Sequence, residues 1–142
     1  MLGSWQFWAG LAAAFAALTA VLAKLGVAGI DANLATLLRT AVVLVALLLL
    51  MLGTDQLAWA QLKGLPRASL LALVLSGLAT GASWLCYFRA LELGPVSRVA
   101  PIDKISVVLV AIAGTLLLGE QLSIRAWVGV VMIALGGLLV AL

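Results

Sequence analysis

Apolar residues fall in five blocks of about 20, divided by short polar or glycine-containing breaks, and no other feature so limits what this chain can become. The blocks cover residues 5–23, 34–52, 69–91, 99–118 and 126–142. About 20 apolar residues is the length an α-helix needs to cross the hydrocarbon core of a bilayer. Only 9% of the 142 residues are charged, against roughly 25% in a soluble domain. So few charges cannot coat a water-facing surface, and lipid is the expected solvent. The pattern predicts an all-α polytopic membrane protein, a bundle of five transmembrane helices in one domain over 1–142. The first block has no Lys or Arg ahead of it and is too long for a signal-peptide core, so it reads as a retained helix.

The breaks have chemical reasons. Gly26, Gly29 and Asp31 separate the first two spans, and Asp31 or Asn33 can cap the second helix. Gly94-Pro95 ends the third, because proline cannot continue a helix. Pro101 is expected in the first turn of the fourth, where a missing N–H costs little. Gly119-Glu120 closes the fourth span, and Ser123 can cap the fifth. The connection over 53–68 holds Leu57, Trp59 and Leu62 beside Asp55, Lys63 and Arg67, which suits either a short interfacial helix or an irregular loop. Trp5, Trp8, Trp59 and Trp127 fall near span ends, as interfacial anchors do. Gly77 and Gly81 form a GxxxG in the third span, and Gly129, Gly136 and Gly137 mark the fifth. Small residues at such spacing let helices approach closely in lipid, so these positions are expected to pack helices.

Charge inside such blocks is the functional signal. Arg39, Arg89 and the pair Asp103–Lys104 lie within apolar stretches. A charge at bilayer depth costs at least a few kcal/mol unless it is paired or hydrated. By span counting, the turn after the first helix and the turn after the third share one side of the membrane. At 1.5 Å per residue, Arg39, Arg89 and Asp103 then sit roughly 12, 7 and 9 Å below that side. Two readings follow. Asp103 pairs with Arg39 or Arg89 and holds helices together while Lys104 snorkels to the interface; or the cluster lines a hydrated cavity for a polar solute. Basic residues outnumber acids, which favours an anionic or zwitterionic substrate, with Asp103 able to carry a coupling proton. Trp84, Tyr87 and Phe88 lie beside Arg89; Trp84 and Phe88, at i,i+4, share a face suited to walling a cavity, holding a cation or simply packing. Glu120 reads as an interface residue near the positive N-terminus of the fifth helix.

Other chemistries fit poorly. The absence of histidine removes His-based triads, His metal sites and the usual general base. A Ser106–Lys104 nucleophile would place its members on different helix faces. The single cysteine, Cys86, allows no internal disulfide. The net charge of +3 is scattered over helix ends, which suits membrane anchoring and not nucleic acid. No catalytic residue, metal site or cofactor is expected.

The runs Tyr87-Phe88-Arg89-Ala90-Leu91-Glu92-Leu93-Gly94-Pro95, Val99-Ala100-Pro101-Ile102-Asp103-Lys104 and Leu118-Gly119-Glu120-Gln121-Leu122-Ser123, with Trp127 and Gly129, resemble an EamA domain. This is the repeat unit of the drug/metabolite transporter superfamily. The resemblance covers nearly the whole chain and implies secondary transport of small metabolites across the bacterial inner membrane. Most such transporters carry two five-helix repeats of opposite orientation; these residues account for one, which is similar to the single-repeat branch. A lone repeat cannot make a two-sided pathway, so a dimer is expected, with inverted pairing providing alternating access. Lys63, Arg67 and Arg125 on one side nearly balance Lys24, Arg98 and Lys104 on the other, which also bears the deeper Arg39 and Arg89. The charge bias that fixes orientation is close to nil, which allows dual topology and an antiparallel homodimer. The alternative is a non-transporting membrane subunit that pairs with another chain.

Overall fold

Each helix starts and stops where a specific side chain or glycine makes it do so. In the computed structural model, which describes residues 4–54 and 64–142, the elements are α1 (Trp5–Gly26), α2 (Ala32–Gly53), α3 (Arg67–Leu93), α4 (Val96–Asp103), α5 (Ser106–Leu117) and α6 (Ile124–Ala141). Among the described residues there is no strand. Five helical stretches are long and apolar enough to cross a membrane, with α4 and α5 together making the fourth, Val96–Leu117. The fold is all-α and multi-pass, as the apolar blocks predict.

Asp31, in extended conformation, caps α2: its carboxylate accepts from the backbone N–H of Asn33 at 2.8 Å and of Leu34 at 3.1 Å. That satisfies two N–H groups that a helix start otherwise leaves orphaned. Gly29, at φ +85°, supplies the left-handed residue that turns the chain between α1 and α2. Only Gly94 and Pro95 separate α3 from α4, and the Pro95 carbonyl accepts from the backbone N–H groups of Arg98 and Val99 in the first turn of α4. Gly119, at φ +69°, ends α5, and the Gly114 carbonyl accepts from both Leu118 and Glu120. Ser123 caps α6 through a bond from the Ala126 N–H to its Oγ. Threonine hydroxyls inside the spans are satisfied locally: Thr36 donates to Ala32 O, Thr40 to Thr36 O and Thr80 to Ser76 O. Such i−4 bonding removes a cost that an unpaired hydroxyl would carry in lipid.

The fourth span corrects two expectations. It is not one helix over 99–118. Lys104 and Ile105 interrupt it, and there the backbone bonds tighten from i−4 to i−3, Lys104 to Pro101 O, Ile105 to Ile102 O and Val107 to Lys104 O. Nor is Pro101 in the first turn. Pro95 is the N-cap and the helix starts at Val96, so Pro101 lies inside it. There its ring removes an N–H that would have bonded the previous turn, which weakens the helix next to the interruption.

The chain divides into two compact units. One comprises residues 1–25 and 93–142 and holds nearly all of α1 with α4, α5 and α6. In it α6 packs along both α4 and α5, and the Lys24 ammonium at the end of α1 donates to the Gly94 carbonyl at 2.8 Å. The other comprises residues 26–92 and holds α2 and α3. Buried positions are mostly small, Ala20, Ala23, Ala32 and Ala35 among them, while Leu117 and Ile124 are about four-fifths exposed at 80% and 83%. Large apolar side chains on the outside and alanines inside are the distribution expected when lipid is the solvent and helices approach by small residues. Trp5 and Trp8 stand exposed at the start of α1, and Trp127 lies in the first turn of α6, positions that suit interfacial anchoring. Trp59, Lys63 and the interfacial helix considered around them lie outside the described residues.

Candidate functional site

Arg39 lies on α2 about seven residues past its first residue, roughly 10 Å along the helix axis at 1.5 Å per residue. Its guanidinium carbon stands 4.2 Å from the Trp84 ring centroid and 5.5 Å from that of Phe88, both on α3. Trp84 and Phe88 are one turn apart on one face, as their i,i+4 spacing dictates, so the two rings meet the same cation. Phe88 is buried at 3% exposure, which fixes the floor against which the guanidinium rests. Tyr87 is an electrostatic neighbour of Arg39. The aromatic face that sequence suggested could hold a cation does hold one, and it is the chain's own arginine. Stacking on rings is available to arginine because its charge is delocalised over a flat, weakly hydrated group.

The remaining intramembrane charges take partners close in sequence. Arg89 pairs with Glu92 at 2.5 Å, an i,i+3 contact along α3. Lys104 pairs with Asp103 at 3.1 Å where α4 gives way to α5. Within its own unit, Asp103 takes its neighbour Lys104 as partner. A flexible lysine beside a helix interruption reaches the adjacent carboxylate without crossing between helices.

The glycines also sort themselves. A methyl group placed on Gly77, Gly81, Gly129 or Gly136 would meet no other described group within 4 Å, which leaves these four small positions open for packing. Gly137 is the close contact. A methyl there would lie 2.9 Å from the Pro101 carbonyl oxygen, so α6 presses on α4 next to the interrupted span. Gly114 would meet the Glu120 carboxylate oxygen at 2.7 Å. Glu120 therefore folds back over the last turns of α5, and it is Ser123 that caps α6.

From sequence, Phe88 shares a face with Trp84 without standing among the expected substrate residues, and Lys24 is only a bordering charge. The i,i+4 spacing of Phe88 from Trp84 was the available signal for the first. Nothing local in the sequence announces that Lys24 reaches Gly94.

Five membrane-length helices with charge held inside them match the EamA-like transporter family over residues 3–142. The chain belongs to that family. It is also 57% identical over 138 residues to a Sinorhizobium sp. protein named as an uncharacterized transporter in cobO 3'region, covering 97% of this chain and 96% of that one. No solved structure matches. An EamA-like chain with such a relative points to a membrane transporter and away from an enzyme.

Proposed function

We propose that this EamA-like protein is a secondary transporter of a small polar or amphipathic metabolite, anionic or zwitterionic, working as an antiparallel homodimer by alternating access in the bacterial inner membrane. The observation that carries the reading is Arg39: a permanent charge, well inside an apolar helix, resting on Trp84 and Phe88. Charges so placed are costly and mark solute pathways. Arg39, Trp84 and Tyr87 are assigned to the substrate. Asp103, at the interruption of the fourth span, is assigned to a coupling proton, with Lys104 as its counter-charge and Arg89 at the pathway mouth. Interrupted helices are where secondary transporters commonly place such sites. The near balance of Lys and Arg between the two sides supports both orientations of one chain.

Topology tests the assembly. C-terminal reporters active only in the cytoplasm or only in the periplasm, fused to separate copies, should both give signal. Signal from one reporter alone would overturn the self-inverted dimer and leave pairing with an oppositely oriented second protein.

A further inference from the structure

We infer that the Arg39 guanidinium, set over the ring of Trp84 beside that of Phe88, is a seat for the carboxylate of a singly charged solute. The inference rests on the transporter reading and names the chemical class of its substrate.

A guanidinium has two separate ways of interacting. Its faces accept rings, and its edge carries five N–H donors in a fixed fork. The guanidinium carbon stands over the Trp84 ring, 4.2 Å from its centroid and 5.5 Å from that of Phe88, contacts of the first kind. Among the described residues of its own unit, 26–92, no carbonyl, carboxylate or hydroxyl accepts a hydrogen bond from the second. The aromatic contact and an edge-on ion pair do not compete, so an anion can bind while the rings keep the plane of the fork fixed. A fork with its plane fixed loses less freedom on binding than a mobile one, which favours affinity.

The charge balance selects the anion. In α2 and α3, Arg89 is already neutralised by Glu92, whereas Arg39 has rings and no acid beside it among the described residues. One negative charge therefore cancels the site. A dianionic phosphate would leave one charge uncompensated at bilayer depth, where charge is costly. Among monoanions, a carboxylate is planar and spans two parallel N–H groups of the fork. Trp84 and Phe88 add an apolar wall next to it, which suits an aliphatic or aromatic body on the same solute.

The test uses the purified full chain in detergent and the same preparation in proteoliposomes. The probes are sodium propionate, the isosteric propylammonium chloride and inorganic phosphate, at matched ionic strength. Melting temperature and tryptophan emission are followed in wild type, Arg39→Lys, Trp84→Ala and Trp84→Phe. Propionate is expected to raise the melting temperature and to shift the emission of wild type, with phosphate and propylammonium weaker. Arg39→Lys keeps the charge and loses the fork, and should weaken propionate by about tenfold or more, the scale of one charge-assisted hydrogen bond. Trp84→Ala should weaken propionate and Trp84→Phe should restore most of the binding, a pattern that mere destabilisation would not give. Equal response of Arg39→Lys and wild type, or a stronger response to propylammonium or phosphate, would overturn the seat. Flux assays on the proteoliposomes separate the two ideas. Transport of a solute that ignores propionate keeps the transporter and removes the seat; Arg39-dependent binding with no flux of any carboxylate keeps the seat and removes transport.

Discussion

Arg39, Arg89 and Asp103 meet one problem, charge in an apolar helix, in different ways, and each choice has a functional consequence. Arg89 and Asp103 are neutralised by acids or bases close in sequence, Glu92 and Lys104. Arg39 is instead spread over two rings. The existence of these charges was legible from sequence, because a charged letter in an apolar block needs no geometry to be noticed. Their partners were less so. Trp84 and Phe88 sharing a face follows from helical spacing, but that α2 delivers Arg39 to that face is a tertiary fact. For Asp103 the consequence is testable. Asp103→Asn removes the titratable group and leaves Lys104, whose long stem can carry its charge toward the interface. The variant should insert and purify like wild type, yet lose proton movement coupled to solute, read with a pH-sensitive dye inside proteoliposomes. Coupled proton movement retained by Asp103→Asn would remove Asp103 from the coupling role. Degradation of the variant in cells would instead favour a structural ion pair, since stranding one buried partner is destabilising.

At the scale of elements, punctuation was the readable part. Asp31, Gly94-Pro95 and Ser123 each act where sequence placed them, because caps and breaks depend on a few adjacent residues. The interruption at Lys104 and Ile105 escaped notice, since an apolar block of spanning length looks the same whether its helix is continuous or tightened in the middle. Beside that joint lies a contact distant in sequence, Gly137 against the Pro101 carbonyl. The glycines follow the same logic: spacing shows which positions permit approach, and only packing shows which are used. Gly137→Ala and Gly114→Ala form a matched pair. At Gly137 the obstacle is backbone, so α6 or the joint must move; overpacking of this kind costs roughly 1–3 kcal/mol. At Gly114 the obstacle is the tip of the Glu120 side chain, which can swing away. Gly137→Ala should therefore lower the melting temperature by several degrees and slow transport, while Gly114→Ala should leave both near wild type. Equal effects of the two would mean that the α4–α6 contact does not position the joint.

At the scale of the whole molecule, the proposed assembly makes one five-span EamA-like repeat with balanced ends half of an inverted pair. The argument from charge makes a stronger demand than dual reporters alone. If orientation rests on a near-tie between Lys24, Arg98 and Lys104 on one side and Lys63, Arg67 and Arg125 on the other, then a small change in either set should decide it, because the Lys/Arg excess near span ends sets topology. Replacing Arg67 and Arg125 by Gln should fix the chain with the side bearing the turn after α1 in the cytoplasm. Replacing Lys24 and Arg98 by Gln should fix the opposite orientation. Each orientation-locked chain expressed alone should be inserted and inactive, because a pair related by inversion cannot form from one orientation. Co-expression should restore transport toward the wild-type level. Lys24 also holds the Gly94 carbonyl, so the second variant needs a control for folding; Lys24 kept and Arg98→Gln paired with an added lysine near Arg67 serves that purpose. Activity from either locked chain alone would overturn the antiparallel homodimer and favour parallel assembly. Inactivity of both, singly and together, with intact insertion would shift the search to a second protein as the opposing half.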